Sequence, residues 1–229
     1  MTLKLGLPSK GRLMEHSLAW FADRGVAIKR TGNMREYAAE ADGSDLTLLL
    51  MPAGEIPREL AAGRLHLGVT GSDLVRDRIP GWGQAIEEWA ELGFGFADLV
   101  IAVPNLWVDV ETLDDLDAVA ADFREDYGHR LRVATKYHRL VREFLRAAGV
   151  ADYQLVDSQG ATEATVRHGS AEAIADITST GETLRANHLK PLRDGLIHRS
   201  QAVLFRSHAA SWPPLAQDAL DRLKTKLGV

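Results

Sequence analysis

The sequence contains no cysteine among its 229 residues. Disulfides, thiolate nucleophiles and thiolate metal sites are therefore excluded, and the composition is consistent with a reducing compartment. No window approaches the roughly 18 consecutive apolar residues of a membrane span. Pro8 and Gly11 come before any apolar run long enough for a signal peptide. We therefore expect a cytoplasmic protein with no membrane partner.

The sequence also lacks an excess of positive charge, because its formal net charge at pH 7 is -5. Global attraction for nucleic acid is not expected, so any anion-binding site must combine local cations with backbone N–H groups. The five tryptophans are dispersed along the chain, which favours packing over a base-stacking platform. No nucleic-acid partner is expected.

Three catalytic and cofactor motifs are missing. The eight histidines form no H-x-x-x-H or H-E-x-x-H pattern, which argues against a zinc site. A G-x-S-x-G elbow is absent, and no G-x-G-x-x-G follows a strand-like run. These absences argue against a hydrolase triad and a dinucleotide-binding fold.

Nine short aliphatic runs are typical of strands, and most are bounded by Gly, Pro, Asp or Ser. They occupy residues 3–7, 26–29, 46–51, 65–70, 97–103, 131–134, 153–156, 173–177 and 202–205. Helix-period segments lie between many of them, at residues 13–24, 56–62 and 139–148. The alternation predicts an α/β fold in which mainly parallel sheets are flanked by helices.

The segment at residues 91–104 indicates two lobes. It is long and extended in character, and it contains Gly93 and Gly95, which suit a chain that crosses from one sheet to another. We expect a discontinuous first lobe, residues 1–94 and 196–229, and a second lobe at residues 95–195.

A turn rich in hydroxyl groups follows the apolar run that ends in Asp176. It contains Thr178, Ser179, Thr180, Gly181, Glu182 and Thr183. Backbone N–H groups and hydroxyls in such a turn would form a phosphate cradle at the start of a helix. Alternatively, a hydroxyl only caps that helix. Asp176 would hold ribose hydroxyls or a magnesium ion, or would stabilise the turn.

Two further strand-end turns have a similar pattern. LPSKGRL at residues 7–13 contains Lys10, Gly11 and Arg12, which suit a polyphosphate, although surface charge alone explains them as well. The other turn contains Thr70, Gly71, Ser72 and Asp73. Since ligands bind at the carboxyl ends of parallel strands, three such turns predict a site for an anionic ligand.

One long gapped pattern is specific enough to indicate a family. It comprises Glu163, Gly169, Ala171, Ile174, Asp176, Ile177, Thr180, Gly181, Thr183 and Leu184. In this pattern the chain resembles the ATP phosphoribosyltransferase family, which performs the first step of histidine biosynthesis. The resemblance extends to LPSKGRL, GEIPRELAAGRLHLGVTGSDLV, VATKY and LRANHL, and so runs through nearly the whole chain.

The resemblance implies two α/β lobes of the periplasmic-binding-protein type. The implied reaction transfers the 5-phosphoribosyl group of phosphoribosyl pyrophosphate to N1 of ATP and releases pyrophosphate, with Mg2+ as the metal ion. The length resembles that of the short form, which implies a homodimer core and a hetero-octamer with a regulatory subunit similar to histidyl-tRNA synthetase. The competing hypothesis is a non-catalytic two-lobed binding protein for an anionic phosphometabolite.

The resemblance also implies roles for the residues of the three turns. Glu163 and Asp176 would meet the ribose hydroxyls in the second lobe, and residues 178–183 would meet the phosphate of phosphoribosyl pyrophosphate. Asp176 is also the candidate metal ligand. Residues 10–12 and 70–73 would bind ATP in the first lobe.

Three positions depart from the family pattern. Thr178 replaces an aliphatic residue and His138 replaces a proline, both with little expected consequence. Pro52 stands where many members have an arginine. The resemblance then implies that another cation serves the leaving pyrophosphate together with Lys10 and Arg12. The candidates are Arg30, Arg35, Arg58 or a nearby lysine.

Overall fold

The computed structural model describes residues 2–30, 36–40 and 46–229. The strands are β1 Leu3–Pro8, β2 Ala27–Arg30, β3 Glu36–Glu40, β4 Leu46–Met51, β5 Leu67–Gly71, β6 Ile86–Glu91, β7 Ala97–Pro104, β8 Leu131–Thr135, β9 Tyr153–Asp157, β10 Ala173–Thr178, β11 Leu189–Ser200 and β12 Ala202–Ser207. The helices are α1 Gly11–Ala22, α2 Ile56–Ala61, α3 Ser72–Arg78, α4 Leu113–Tyr127, α5 His138–Ala147, α6 Ala164–Arg167, α7 Glu182–Ala186 and α8 Pro214–Leu227, with a 3-10 turn at Trp82–Gln84.

The chain forms two compact units. The first comprises Met1–Gly95 and Gln201–Val229, and the second is Phe96–Ser200. Between β6 and β7, Gly93 and Gly95 have φ values of +72° and +69°, a backbone conformation that glycine adopts readily. Ser200, the last residue of the second unit, is also the last residue of β11.

Each unit contains one sheet with helices around it. The strand order is β2-β3-β4-β1-β5-β12-β6 in the first unit and β11-β7-β10-β8-β9 in the second. The predicted α/β class with two lobes is confirmed, but the sheets are mixed and not mainly parallel. Among the described strands, β4, β1 and β5 pair in parallel in the first unit, and β10, β8 and β9 do so in the second. All other described pairs are antiparallel.

The core of the first unit forms around β1, which lies in the middle of its sheet. Leu3, Leu5 and Leu7 alternate along β1, so they share one face of the sheet, and each is at most 1% exposed. Leu220 and Leu223 of α8 belong to the same apolar cluster. The buried strand thereby fixes the position of the turn that follows it at Ser9 and Lys10.

The core of the second unit places β10 between β7 and β8. Ile174 packs with Ala102 and Ala134 from those two neighbours. Helix α5 buries Val141 and Leu145, which are four residues apart and so share one face. The chain leaves the helix at Gly149, directly after the predicted segment 139–148, with φ +83°. Among the described residues, no helix has the length and apolar character needed to cross a membrane.

Candidate functional site

The carboxyl ends of three parallel strands lie side by side in the second unit. In the strand register Thr135 of β8 is opposite Asp157 of β9 and Ala175 of β10. Asp176 follows Ala175 directly, and the hydroxyl-rich turn comes next. This edge of the sheet therefore brings together polar residues from three separate stretches of sequence, where α/β proteins commonly bind ligands.

The hydroxyl-rich turn is held together by its own side chains. The N–H of Gly181 donates to Thr178 Oγ1 at 2.9 Å, and the N–H of Glu182 donates to Thr180 Oγ1 at 3.3 Å. Ser179 Oγ donates to the carbonyl of Phe96 at 2.9 Å. This bonding braces the turn and does not cap α7, whose N-cap Gly181 has no side-chain cap hydrogen bond. It leaves the hydroxyl hydrogens of Thr178 and Thr180 able to donate to a ligand, since a hydroxyl can accept and donate together.

Gly181 gives this turn its shape. Its φ of +70° and ψ of 2° lie in the left-handed region, and helix α7 begins at the next residue. A Cβ at Gly181 would lie 3.0 Å from Arg185 Nη1. The backbone conformation therefore favours glycine here, whereas the guanidinium at the end of the flexible Arg185 side chain can move aside.

Asp176 lies on β10 at this edge. Its Oδ1 accepts from the N–H of Ile177 at 2.8 Å and lies 3.7 Å from Nζ of Lys136. Both side chains are partly covered, with exposures of 18% for Asp176 and 29% for Lys136. The VATKY segment places Lys136 directly after a strand-like run, where a site cation and an exposed surface lysine are equally consistent with the sequence.

Asp157, at the end of β9, holds a second polar group at the same edge. Its Oδ1 accepts from His138 Nε2 at 3.0 Å and from Gln159 Nε2 at 2.8 Å. These hydrogen bonds, that from His138 above all, hold the pKa of the Asp157 carboxyl below its ordinary value. His138, where the family pattern has a proline, therefore has a defined contact.

We expect the variant His138→Ala to raise the pKa of Asp157 towards its ordinary value, because the main group that stabilises the carboxylate is removed. A lowered pKa means that the two hydrogen bonds persist above the ordinary pKa and are lost as the pH falls through the lowered value. Carboxyl carbon NMR over an acid titration measures this shift. Asp115, whose pKa is lowered mainly by the backbone N–H of Glu111, is the control, and an unchanged Asp157 titration would contradict the assignment.

The remaining residues predicted to bind phosphoribosyl pyrophosphate lie on short helices. Glu182 and Thr183 are exposed in the first turn of α7. Glu163 immediately precedes α6 and is half-buried. These positions leave their side chains accessible to a ligand, and their roles stay predictions.

In the first unit, β4, β1 and β5 also end at one edge of their sheet. Lys10, Gly11 and Arg12 are all exposed at the turn between β1 and α1. Gly11 has φ +75°, and a Cβ there would meet open space. Backbone conformation, and not a close neighbour, therefore accounts for glycine at this position.

The residues predicted to bind ATP at the end of β5 and the start of α3 are mostly buried. Thr70 is 0% exposed and donates its hydroxyl to the carbonyl of Ala53 at 2.8 Å. Ser72 is 6% exposed and Asp73 5% exposed, while Gly71 is half-buried. Thr70 thus links β5 to the loop after β4, and the predicted ATP contacts of this turn stay predictions.

The predicted catalytic arginines lie in different surroundings. Arg58 is exposed on α2. Arg35 lies outside the described residues, and the side chain of Arg30 lies outside them as well. Arg78, which sequence reasoning missed, has its guanidinium against Gly54, where an added Cβ would lie 3.3 Å from Nη2. It is therefore a cation beside the loop that begins at Pro52.

No cluster of three His, Cys, Asp or Glu side chains suited to a metal ion occurs in the described ranges. Asp176 is a single carboxylate with an ammonium group beside it. The residues therefore suit a metal ion that arrives on a phosphate group better than an ion held by protein ligands alone.

The fold and this edge define a class of protein: two α/β units, one of which presents a carboxylate followed by a hydroxyl-rich glycine turn. The family model "HisG: ATP phosphoribosyltransferase" matches residues 52–228. An ATP phosphoribosyltransferase from Cereibacter sphaeroides is 67% identical over 217 residues, which cover 94% of this chain and 92% of that protein. Another, from Chelativorans sp., is 52% identical and covers 89% of this chain and 90% of that protein. The chain belongs to the ATP phosphoribosyltransferase family.

Two solved structures share the fold. The ATP phosphoribosyl transferase (HisG:HisZ) complex from Thermotoga maritima matches with a TM-score of 0.75 and 21% identity, covering 99% of this chain and 96% of that one. A substrate-binding protein of an amino-acid ABC transporter matches with a TM-score of 0.55 and 12% identity, covering 100% of this chain and 92% of that one. The expected fold of the periplasmic-binding-protein type is confirmed.

Proposed function

We propose that this protein transfers the 5-phosphoribosyl group of phosphoribosyl pyrophosphate to N1 of ATP, with release of pyrophosphate, as the first step of histidine biosynthesis. The observation that carries this proposal is the carboxyl end of β10. There a partly covered carboxylate, Asp176, is followed by a turn with hydroxyl donors around Gly181. A site for a sugar phosphate combines an acceptor for the ribose hydroxyls with donors for the phosphate, and this stretch supplies both.

The reaction needs no nucleophile from the protein. The N1 lone pair of adenine forms a bond to C1 of the ribose, and the electron pair of the broken C1–O bond leaves with pyrophosphate. Positive charge develops on the sugar ring, as in glycoside hydrolysis, and negative charge develops on the leaving group. The protein contributes by orienting two anionic substrates and by stabilising these charges.

The second unit holds phosphoribosyl pyrophosphate in this proposal. Asp176 accepts from the ribose hydroxyls, with Glu163 as a further acceptor. Thr178 and Thr180 donate their hydroxyl hydrogens to the 5-phosphate. Each of these hydroxyls already accepts a backbone N–H bond, which polarises it and strengthens its own donation. Glu182 and Thr183 complete the predicted set.

The first unit holds ATP and contributes cations. Lys10 and Arg12 are exposed at the strand edge, where they suit phosphate oxygens. Arg58 is exposed on α2 of the same unit, and Arg30 and Arg35 remain candidates from the family resemblance. Residues 70–73 shape this edge from a more buried position.

Mg2+ belongs to the substrate in this proposal. It arrives bound to phosphate oxygens and neutralises part of the charge of the pyrophosphate. Asp176 then binds ribose directly, because the ammonium group of Lys136 at 3.7 Å opposes a second cation on Oδ1. The alternative, direct metal ligation by Asp176, remains from the sequence prediction.

The decisive assay mixes the purified protein with ATP, phosphoribosyl pyrophosphate and Mg2+, with pyrophosphatase present to remove the product. Ultraviolet absorbance of the N1-alkylated adenine reports turnover. We expect the absorbance to rise only when both substrates are present. Binding of phosphoribosyl pyrophosphate without turnover, with and without a regulatory subunit, would favour the non-catalytic binding protein instead.

We also propose a partner, a regulatory subunit similar to histidyl-tRNA synthetase, in a hetero-octamer built on homodimers of this chain. The complex from Thermotoga maritima, which shares this fold, is a HisG:HisZ complex. A cytoplasmic location is proposed from the sequence.

If this partner is required, turnover should rise strongly on addition of the regulatory subunit and should become sensitive to histidine. Titration of the subunit in the ultraviolet assay, with mass measurement of the complex, tests both points. Full, histidine-inhibited turnover by the purified chain alone would contradict the requirement.

A further inference from the structure

Lys136 occupies a fixed place at the carboxyl edge of the second sheet. The residue follows β8 directly, and its ammonium group lies 5.0 Å from the centre of the Tyr137 ring. Tyr137 is buried at 1% exposure, and its N–H donates to Thr135 Oγ1 at 2.9 Å. The turn is thereby anchored to the core, so Lys136 starts from a defined position beside Asp176.

The contact between Lys136 and Asp176 is a charge contact and not a hydrogen bond. Nζ and Oδ1 are 3.7 Å apart, beyond the usual range for an N–H···O bond. The same Oδ1 accepts a bond of 2.8 Å from the N–H of Ile177. Lys136 is 29% exposed, so its ammonium hydrogens are available to another acceptor close to Asp176.

We propose that Lys136 binds the pyrophosphate group of phosphoribosyl pyrophosphate while Asp176 binds the ribose hydroxyls. This inference rests on the proposed function. The pyrophosphate is bonded to C1, and the nearest ribose hydroxyl is on the adjacent carbon. The cation for one group and the acceptor for the other must therefore be neighbours, as Lys136 and Asp176 are.

The charges favour the same arrangement. Without substrate, Asp176 partly balances Lys136 across 3.7 Å. When the C1–O bond breaks, the bonding electron pair goes to the pyrophosphate, and the negative charge beside Lys136 increases. Lys136 keeps its proton and acts only by electrostatic attraction and hydrogen bonding, so its effect is greatest as the leaving group departs.

The test measures binding of magnesium pyrophosphate alone by calorimetry, so it does not depend on turnover. We expect Lys136→Met to weaken binding about tenfold to hundredfold, the usual effect of losing a hydrogen bond from a charged group. Lys136→Arg should retain most of the affinity. Lys190→Met is the matched control, because Lys190 is in the same unit and its Nζ donates to the carbonyl of Val108 at 3.3 Å.

A second comparison separates direct contact from an effect through Asp176. If Lys136 contacts pyrophosphate, the loss caused by Lys136→Met should persist in an Asp176→Asn background. The inference is overturned if that loss disappears there, if Lys136→Met binds like the wild type, or if the wild type does not bind pyrophosphate. A wild-type protein that binds pyrophosphate through Lys136 but does not turn over would instead contradict the proposed function alone.

Discussion

Gly181→Val is expected to abolish binding of phosphoribosyl pyrophosphate while the protein remains folded. Valine is a β-branched residue that tolerates the observed φ of +70° poorly. Its Cβ would also lie 3.0 Å from Arg185 Nη1. A shift of the Gly181 backbone breaks its bond to Thr178 Oγ1, so the hydroxyls lose their alignment. Loss of two or more charge-assisted bonds to the phosphate corresponds to about a hundredfold weaker affinity or more.

The matched control is Gly128→Val at the end of α4. Gly128 has φ 71° and ψ 8°, nearly the same conformation as Gly181, and a Cβ there would meet open space. Both variants should lose about 1–2 kcal/mol in the free energy of unfolding, measured with denaturant. Only Gly181→Val should lose affinity in calorimetry with phosphoribosyl pyrophosphate. Unchanged affinity for phosphoribosyl pyrophosphate in a folded Gly181→Val variant would contradict the assignment of this turn to phosphate binding.

The strands that sequence analysis found are those with a continuous aliphatic run. Strands β3, β6 and β11 were missed. β3 reads EYAAE, which contains no continuous aliphatic run, while β6 and β11 lie at the edge of a sheet as described. β6 reads IEEWAE, with acidic side chains that a buried strand would not tolerate. β11 contains Pro191 and Gly195, and its register shifts between Pro191 and Leu196. Edge strands accept such residues because one side has no ladder to complete.

The missed strands explain only part of the error about sheet direction, because β7 with β10 and β5 with β12, all predicted as strands, also pair antiparallel. β11 and β6 pair antiparallel with β7 and β12. Sequence alternation of strands and helices indicates parallel pairing only for the segments that follow that order. The other strands do not follow this alternation of strand and helix. Their direction depends on long-range pairing, which local sequence patterns do not indicate.

The candidate site was predictable in part. Asp176 and the hydroxyl-rich turn are contiguous, so spacing alone brings them together. The approach of Lys136 to Asp176 depends on the register of β8 against β10, which the sequence does not specify. The burial of Thr70 was likewise not predictable from the sequence. Its hydroxyl donates to the carbonyl of Ala53, and only the folded sheet brings these two segments close.

Asp176→Asn is expected to lower kcat/KM for phosphoribosyl pyrophosphate about a hundredfold to a thousandfold, the usual range for loss of one preorganised electrostatic group. The amide oxygen can still accept from the N–H of Ile177, as Oδ1 does at 2.8 Å, so the backbone should keep its shape. The variant loses the negative charge of the carboxylate. In the proposal this carboxylate accepts hydrogen bonds from the ribose hydroxyls and stabilises the positive charge that develops on the sugar ring. The KM for ATP should change little. Asp152→Asn, which removes a carboxylate paired with Arg124 in the same unit, is the control.

The Mg2+ dependence of Asp176→Asn distinguishes the two roles considered for this carboxylate. If Asp176 were a metal ligand, the variant would need more Mg2+, and excess Mg2+ would restore part of the activity by mass action. If Asp176 binds ribose directly, the Mg2+ concentration for half-maximal rate should match that of the wild type, and no excess should restore turnover. We expect the second result, because Lys136 lies 3.7 Å from Oδ1 and repels a cation there. Rescue by Mg2+ would instead indicate that Asp176 is a metal ligand and that Glu163 is the acceptor for the ribose hydroxyls.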